Sequence, residues 1–345
     1  MDRHIRLFEC LPTLWRQRVR AVVTLVALVL GIGLPRTAWS VVINTSTGTG
    51  NTSAPADNPG WANVGVLGIG TGVYLGNDWV LTTKQVGGGS IVLNGGTYAM
   101  LAGSGTQLTN GGEPGKTALT NLYLFRLATT PVGLGSVAIA SSSGTGAAVT
   151  MIGAGLDRGA FTQWDINTAA TPWTWTEVQS GGNAAGYQTL STREMRWGTN
   201  TVDSVGGWIA SVYGDTNFVA TTFSYLGSDS TEAQAAYGDF GGGVFHKNGS
   251  TWELTGLVVG VVGFSGQPDP EENAVFGNET LVADLSFYRP QIMAIVPEPH
   301  PVVLAASGLG GLVLWRLLRR RLTTFVSCPP SLLPTVFPRE RHRSP

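Results

Sequence analysis

The feature that most constrains this chain is its series of short β-branched and aromatic runs separated by glycine and asparagine. Such runs occupy residues 64–67, 73–75, 79–81, 91–93, 97–100, 122–127, 149–152, 218–223, 243–246 and 252–262. Runs of this length between turn residues are typical of β-strands. No long segment has the 3.6-residue period of an amphipathic helix. The sequence therefore predicts an all-β fold, either a sandwich or barrels.

Composition narrows the class of protein. Charged residues make up 12% of the chain, against about 25% in a typical globular protein. Residues 41–295 contain eight basic and eighteen acidic side chains, 8 − 18 = −10, which disfavours nucleic acid and anionic lipid as partners. Both cysteines, Cys10 and Cys328, lie outside this range. Residues 41–295 therefore contain no disulfide, catalytic cysteine or cysteine zinc site.

The first forty residues have the pattern of a secretory signal peptide. Several arginines precede an apolar run at 21–34, and Ala38-Trp39-Ser40 fits a small-x-small cleavage site. We expect signal peptidase to produce a mature start near Val41. An uncleaved anchor is the alternative, although about fourteen apolar residues are few for a membrane span. Residues 41–60, rich in threonine, serine, asparagine and glycine, predict a disordered N-terminal arm.

The C-terminal region has three successive parts. A Pro-Glu-Pro sequence precedes the apolar run 302–318, and an arginine cluster follows it. This order, over residues 296–321, resembles the PEP-CTERM sorting signal of Gram-negative-type bacteria. The resemblance implies an exosortase-type sorting enzyme as partner and a transmembrane helix at 302–318 in the inner membrane. The residues that carry the motif are Pro297, Glu298, Pro299, Arg319, Arg320 and Arg321.

Two observations qualify this resemblance. An ordinary C-terminal tail anchor is the alternative, because about seventeen apolar residues before a basic cluster also suit one. Residues 322–345 run on beyond the arginines, where the family normally ends, and we predict a disordered tail there.

Three local patterns carry a second resemblance. Gly238-Asp239-Phe240-Gly241-Gly242, the glycine turn, is similar to the nucleophile loop of trypsin-like serine proteases, with Phe240 in place of the serine. Residues 79–86 are similar to the segment around the catalytic histidine, with Gln85 at that position. Residues 121–127 are similar to the strand that begins with the catalytic aspartate, with Asn121 there. The separations, 121 − 85 = 36 and 240 − 121 = 119, fit the family order.

The resemblance implies a fold and a set of residue roles. The fold is two six-stranded antiparallel β-barrels of the chymotrypsin type, at 61–160 and 161–295, with terminal signal and anchor helices and a short helix after Asp284. No catalytic residue is expected, because Gln85, Asn121 and Phe240 occupy the triad positions. We expect Gly238, Asp239 and Phe240 to keep the shape of an oxyanion turn, with the phenyl ring across the cleft. The α-amino group of a chain starting at Val41 is a candidate partner of Asp239.

The sequence thus predicts an exported, membrane-sorted pseudoprotease with a binding or structural role at the cell surface. One alternative is an active serine-type peptidase with a non-standard site that uses His246 or Lys84. Another is an extracellular matrix or surface component without a discrete ligand. No cofactor or metal is expected. One weaker alternative is a Ca²⁺ site on the carboxylates of Asp269, Glu271, Glu272 and Glu279. Another is a sugar-binding strip formed by Trp164, Trp173 and Trp175.

Overall fold

Short β-strands dominate the computed structural model, which describes residues 41–225, 227 and 230–296. The first ten strands are β1 (Val42–Ile43), β2 (Val64–Leu67), β3 (Gly70–Gly76), β4 (Trp79–Thr83), β5 (Ile91–Leu93), β6 (Gly96–Tyr98), β7 (Thr106–Thr109), β8 (Leu119–Arg126), β9 (Ala138–Ile139) and β10 (Ala148–Gly153). The predicted signal peptide and everything from residue 297 onward lie outside the described residues.

The later part of the chain continues in the same style. Its strands are β11 (Arg158–Asn167), β12 (Thr174–Val178), β13 (Ala184–Thr189), β14 (Arg196–Ile209), β15 (Thr216–Thr222), β16 (Ala233–Gln234), β17 (Gly243–Asn248), β18 (Thr251–Val262), β19 (Asn273–Val275) and β20 (Glu279–Asp284). A 3₁₀ turn at Trp61–Asn63 precedes β2, and helix α1 (Leu285–Ile295) follows β20. The all-β prediction is therefore confirmed.

One closed six-stranded barrel lies in the second half. Its strands follow the order β17-β10-β14-β15-β20-β18, and the antiparallel pairing of β17 with β18 closes the ring. Strand β9 joins β18 in parallel at the outside of this sheet. Strands β9 and β10 precede the predicted boundary at residue 160 but pair within this barrel.

The expected first barrel is wrong in detail, because the first half forms a seven-stranded sheet with two edges. Its order is β6-β5-β2-β3-β4-β8-β7. Beyond these strands, the segment after β6 meets the segment after β8 at one bridge, Met100 to Leu127. Since β6 contains three residues, it offers too short a ladder to close the ring.

A third, four-stranded sheet has the order β12-β11-β13-β19. It contains most of residues 154–176, for which the sequence showed no clear period. In strand β11, Phe161 and Trp164 are an odd number of residues apart and therefore lie on opposite faces of the sheet. The strand thus lacks the alternation of polar and apolar residues by which a strand with one buried face is recognised.

The N-terminal arm is packed, which corrects the prediction of disorder for 41–60. Residues 41–44 have no exposed surface, and β1 pairs antiparallel with β16. The Arg158 guanidinium donates to the carbonyl oxygens of Ile43 (3.2 Å) and Thr45 (2.5 Å). Farther along, Asp57 forms an ion pair with Lys247. The side-chain composition of the arm does not predict these contacts, because many of the hydrogen-bond acceptors are backbone carbonyls, which every residue has.

The main apolar cluster joins both halves of the described chain. It contains Val64, Leu81 and Leu124 from the first sheet, and Leu257 and Leu285 from the barrel and α1. Helix α1 is the predicted short last helix, with the Asp284 side chain accepting the Ser286 N–H at its start. Within the described part of the chain, no helix is long and apolar enough to cross a membrane.

Candidate functional site

The glycine turn is fixed to the first sheet through strand β3. The backbone N–H of Thr71 donates to the Phe240 carbonyl (2.9 Å), and the Thr71 hydroxyl donates to the Gly238 carbonyl (3.1 Å). Thr82, near the end of β4, donates from its hydroxyl to the Thr71 carbonyl (2.7 Å). These bonds bring the turn beside β4, whose end leads into Gln85.

Gln85 and Asn121 are directly hydrogen-bonded. The backbone N–H of Gln85 donates to the Asn121 Oδ1 (3.0 Å), and the Lys84 N–H donates to the Asn121 carbonyl (3.2 Å). On its other side, the Asn121 N–H donates to the Thr216 hydroxyl of β15 (3.1 Å). Asn121 is 3% exposed. Its amide thus acts as a fixed acceptor for the loop after β4, a task that requires no charge.

The phenyl ring of Phe240 is buried, which corrects the expectation that it lies across the cleft. Phe240 is 4% exposed and belongs to the apolar cluster that contains Val41, Val244 and Val258, with Val86 packed against it. Burial of a phenyl group is favoured by a few kcal/mol, on the order of 1.5–3. The phenyl ring therefore stabilises the apolar core. A serine side chain at this position would not contribute that free energy of burial.

Two positions explain why the turn keeps its glycines. Gly238 has φ = +95°, and a Cβ there would lie 2.2 Å from the Arg193 Nη2. Gly241 has φ = +81°, and a Cβ there would lie 2.1 Å from the Thr71 carbonyl oxygen. The left-handed backbone disfavours a side chain at both positions, and the Thr71 carbonyl leaves no room for a Cβ at Gly241. The shape of the turn is therefore preserved independently of any chemistry at position 240.

Asp239 is wholly buried inside this turn. Its carboxylate accepts the backbone N–H groups of Ala236 (2.8 Å) and Gly155 (2.7 Å). Burial raises the pKa of Asp239 to about 7, against the opposing effect of these hydrogen bonds and of the nearby Arg193 charge. Arg193 itself donates to the Ala154 carbonyl. The pairing of Asp239 with an α-amino group at Val41 stays a prediction.

The alternative catalytic groups have other contacts. The His246 Nδ1 lies 2.9 Å from the Ala148 carbonyl oxygen, on the partly exposed part of β17. The Lys84 ammonium lies 4.6 Å from the centre of the Tyr123 ring, a cation–π contact. Neither contact involves a serine hydroxyl, so the described geometry gives no support to a base at either position.

The residues of the two ligand alternatives also have other contacts. The Asp269 side chain accepts the Glu271 N–H (3.0 Å) within its own loop. No group of three or more histidine, cysteine, aspartate or glutamate residues within the described ranges has a geometry that could hold a metal ion. Trp164 is 3% exposed with its ring edge-to-face on Trp175 (6.2 Å), while Trp173 stacks on Phe264 (6.3 Å). The three indoles therefore do not form one flat strip.

Sequence reasoning missed the residues that hold the site together. Thr71, Arg193 and Thr216 come from three different strands or loops, and they act through hydroxyl groups, a guanidinium and, at Thr71, also the backbone N–H. The partners of Thr71 and Thr216 are 167 and 95 positions away. No local pattern marks such residues in one sequence.

The comparisons with known proteins give a likeness of fold. No protein-family model and no curated protein matches the sequence. The structure is similar to solved structures of the trypsin-like serine protease fold. One is a mutant of human heparin binding protein (CAP37), at 15% identity and a TM-score of 0.45, covering 73% of this chain and 98% of that one.

Two further structures show the same level of likeness. Neuropsin, a serine protease of mouse brain, has 16% identity and a TM-score of 0.43, covering 72% of this chain and 99% of that one. The inactive form of the Rv3671c protease has 13% identity and a TM-score of 0.38, covering 69% of this chain and 90% of that one. Since all three TM-scores lie below 0.5, the roles of individual residues rest on the contacts described above.

Proposed function

We propose that the protein is an exported, membrane-sorted pseudoprotease, anchored in the membrane or released, that acts by binding or as a structural component at the cell surface. The observation that carries this proposal is the hydrogen bond from the Gln85 N–H to the Asn121 Oδ1 (3.0 Å). It supports the conclusion that the positions corresponding to base and acid are neighbours occupied by two neutral amides.

Acyl transfer by a serine protease needs a nucleophile, a base and a charge that stabilises the protonated base. A glutamine side chain does not take up a proton near neutral pH, and an asparagine carries no charge. The phenyl ring of Phe240 has no nucleophilic atom and is buried. Loss of all three functions argues against the acyl-enzyme mechanism, whereas the hydrogen bonds to Thr71 favour retention of the scaffold.

Export and anchoring form the second part of the proposal. They rest on the signal-peptide pattern of residues 1–40 and on the PEP-CTERM resemblance of residues 296–321. Signal peptidase and an exosortase-type enzyme would then be partners during export, with residues 302–318 in the inner membrane. The net charge of −10 over residues 41–295 favours a partner other than nucleic acid.

The test is active-site labelling of the purified full-length chain in mild detergent. We expect a fluorophosphonate probe to leave the protein unlabelled and a peptide library to remain uncut, under conditions in which trypsin reacts fully. Labelling that disappears in His246→Ala or Lys84→Ala would instead establish an active peptidase with a non-standard site.

Restoring the triad is a poorer test because of the position of Phe240. The ring is buried in the core, and replacing a buried phenylalanine by a small residue typically costs about 3–5 kcal/mol. The variant Phe240→Ser is therefore expected to lose stability before it reports on chemistry. Labelling of the unaltered chain avoids this difficulty.

A further inference from the structure

Strand β12 forms one edge of the four-stranded sheet. Among the described residues it pairs with β11 alone, through the register Trp164 to Glu177, Asp165 to Thr176 and Ile166 to Trp175. Natural edge strands are commonly protected by charged side chains, above all lysine, by proline or by a bulge. The sequence of β12, Thr-Trp-Thr-Glu-Val, contains one charged residue, Glu177, and no lysine or proline, and its pairing with β11 has no register shift.

The orientation of the β12 backbone follows from its neighbour. The Ile166 N–H donates to the Asn183 Oδ1 (2.8 Å), and its carbonyl accepts from the Asn183 Nδ2 (3.0 Å). Asn183 directly precedes β13, which lies on the side of β11 opposite β12. The polar groups of Ile166 therefore point away from β12. Because antiparallel ladders alternate, those of Asp165 point toward β12 and bond Thr176.

The same alternation defines the free edge. If Thr176 bonds inward to β11, the N–H and C=O groups of Trp175 and Glu177 point outward. Near the start of the strand, the Trp173 N–H contacts the Ser265 hydroxyl (3.5 Å), and the loop at Gly266 lies close against the Trp173 carbonyl. The Trp175 indole N–H also donates to the Ser265 carbonyl (2.9 Å), so the open part of the edge is the backbone of two outward residues, Trp175 and Glu177, with Thr176 between them.

We propose that this edge is a homodimerisation surface on which β12 pairs antiparallel with β12 of a second copy of the chain. A two-fold axis at Thr176 places Trp175 opposite Glu177 of the partner copy, and the reverse. Both are outward residues, so the register forms two pairs of backbone hydrogen bonds and joins the two four-stranded sheets into one continuous sheet. An axis centred at Trp175 would require the Trp173 backbone, which Ser265 and Gly266 already approach.

The side chains are compatible with this register. Thr176 meets its own counterpart, and threonine pairs are favourable between antiparallel strands. Glu177 faces a neutral indole and not a second carboxylate. The Gln188 Nε2 on β13 donates to the Glu177 Oε2 (3.1 Å), which draws the charge across the sheet away from the edge. In this register the outward backbone groups of the two copies are hydrogen-bonded to each other, and no two carboxylates face each other.

Cysteine cross-linking tests the register directly. In full-length protein carrying Cys10→Ser and Cys328→Ser, the variant Thr176→Cys places two thiols at a directly opposed pair, about 4.5 Å apart at Cα. We expect rapid disulfide-linked dimer under mild oxidation. The control Thr174→Cys lies opposite Val178 of the partner copy, with its own counterpart about 13 Å away, and is expected to remain monomeric on gels.

A matched pair of variants tests the backbone bonds. Glu177→Pro removes an outward N–H that β11 does not use, whereas Glu177→Ala keeps it. Sedimentation of the full-length chain in detergent should give a dimer for Glu177→Ala and an at least tenfold weaker dimer for Glu177→Pro, with equal circular dichroism. The proposal is wrong if Thr176→Cys cross-links no faster than Thr174→Cys, or if the proline variant dimerises like the unaltered chain.

Discussion

At the scale of single residues, Gln85, Asn121 and Phe240 have structural tasks. Asn121 receives the Gln85 N–H and donates its own N–H to Thr216, so it connects the loop after β4 with β15 of the barrel. The first bond uses the backbone of residue 85 and the side chain of residue 121. The identity of the side chain should therefore matter at 121 much more than at 85.

Asn121→Ala should destabilise the protein by about 1–3 kcal/mol, because it leaves the Gln85 N–H without its acceptor. Gln85→Ala keeps that N–H and should change the free energy of unfolding by less than about 0.5 kcal/mol. Urea unfolding of the two variants beside the unaltered chain measures the difference. Equal stabilities would show that the bond has no structural weight.

The sequence named Gln85, Asn121 and Phe240 as candidate site residues, but it did not predict how they are held. Gly238 and Gly241 reveal the turn because only glycine accepts its positive φ angles and close contacts. The predicted direction of the Phe240 ring was wrong. A ring beside this turn can lie either in the cleft or in the apolar core, and the local sequence does not distinguish the two. The choice depends on its cluster partners, which include Val41 and Val258 and lie far apart in sequence.

At the scale of elements, the N-terminal arm shows where local pattern and tertiary structure differ. Residues 41–60 lack an apolar period, yet β1 is buried and Arg158 bonds the carbonyls in and after it. Strands β2 and β5 coincide with predicted runs because their valines, isoleucine and leucines are contiguous between turns. Strand β14 escaped prediction because it contains three glycines and two charged residues.

Arg158→Ala should loosen the arm and cost about 2 kcal/mol or more. The guanidinium donates to three carbonyls, of Ile43, Thr45 and Ser46, and lies 4.1 Å from the Tyr187 ring centre. The control is Arg126→Ala, whose exposed ion pair with Asp78 (3.1 Å) is worth less than about 1 kcal/mol. Urea unfolding and limited proteolysis of residues 46–57 would compare the two. If Arg158→Ala and Arg126→Ala lost the same stability and were cleaved at the same rate, Arg158 would not hold the arm in place.

At the scale of the whole molecule, the stability of the fold should depend on a buried carboxyl group. Glu232 is 7% exposed, and its Oε1 accepts the Ser224 N–H (3.3 Å). Burial raises the pKa of Glu232 to about 7, and the Asp203 charge adds to this effect. The folded state therefore holds this proton more tightly than the unfolded chain, where a glutamate titrates near about 4.3.

The sign of the pH dependence follows from that difference. The contribution of Glu232 is complete below about pH 4 and is lost as the pH rises to about 7, so the free energy of unfolding should decline over this window. One pKa unit corresponds to about 1.4 kcal/mol, and we expect Glu232→Gln to remove at least about 1 kcal/mol of the decline. Urea unfolding across the window, with the exposed Glu113→Gln as control, measures it. An unchanged slope in Glu232→Gln would refute this role.

The pairing of β1 with β16 has a consequence for the order of folding. Val42 and Gln234 are partners although they lie 234 − 42 = 192 positions apart. The first of the described strands to be synthesised must therefore wait for a late part of the barrel before its ladder can form. A two-residue strand cannot nucleate such a contact against the entropy of so long a loop. The barrel should thus assemble first, and β1 should pair with it afterwards in a late and slow step.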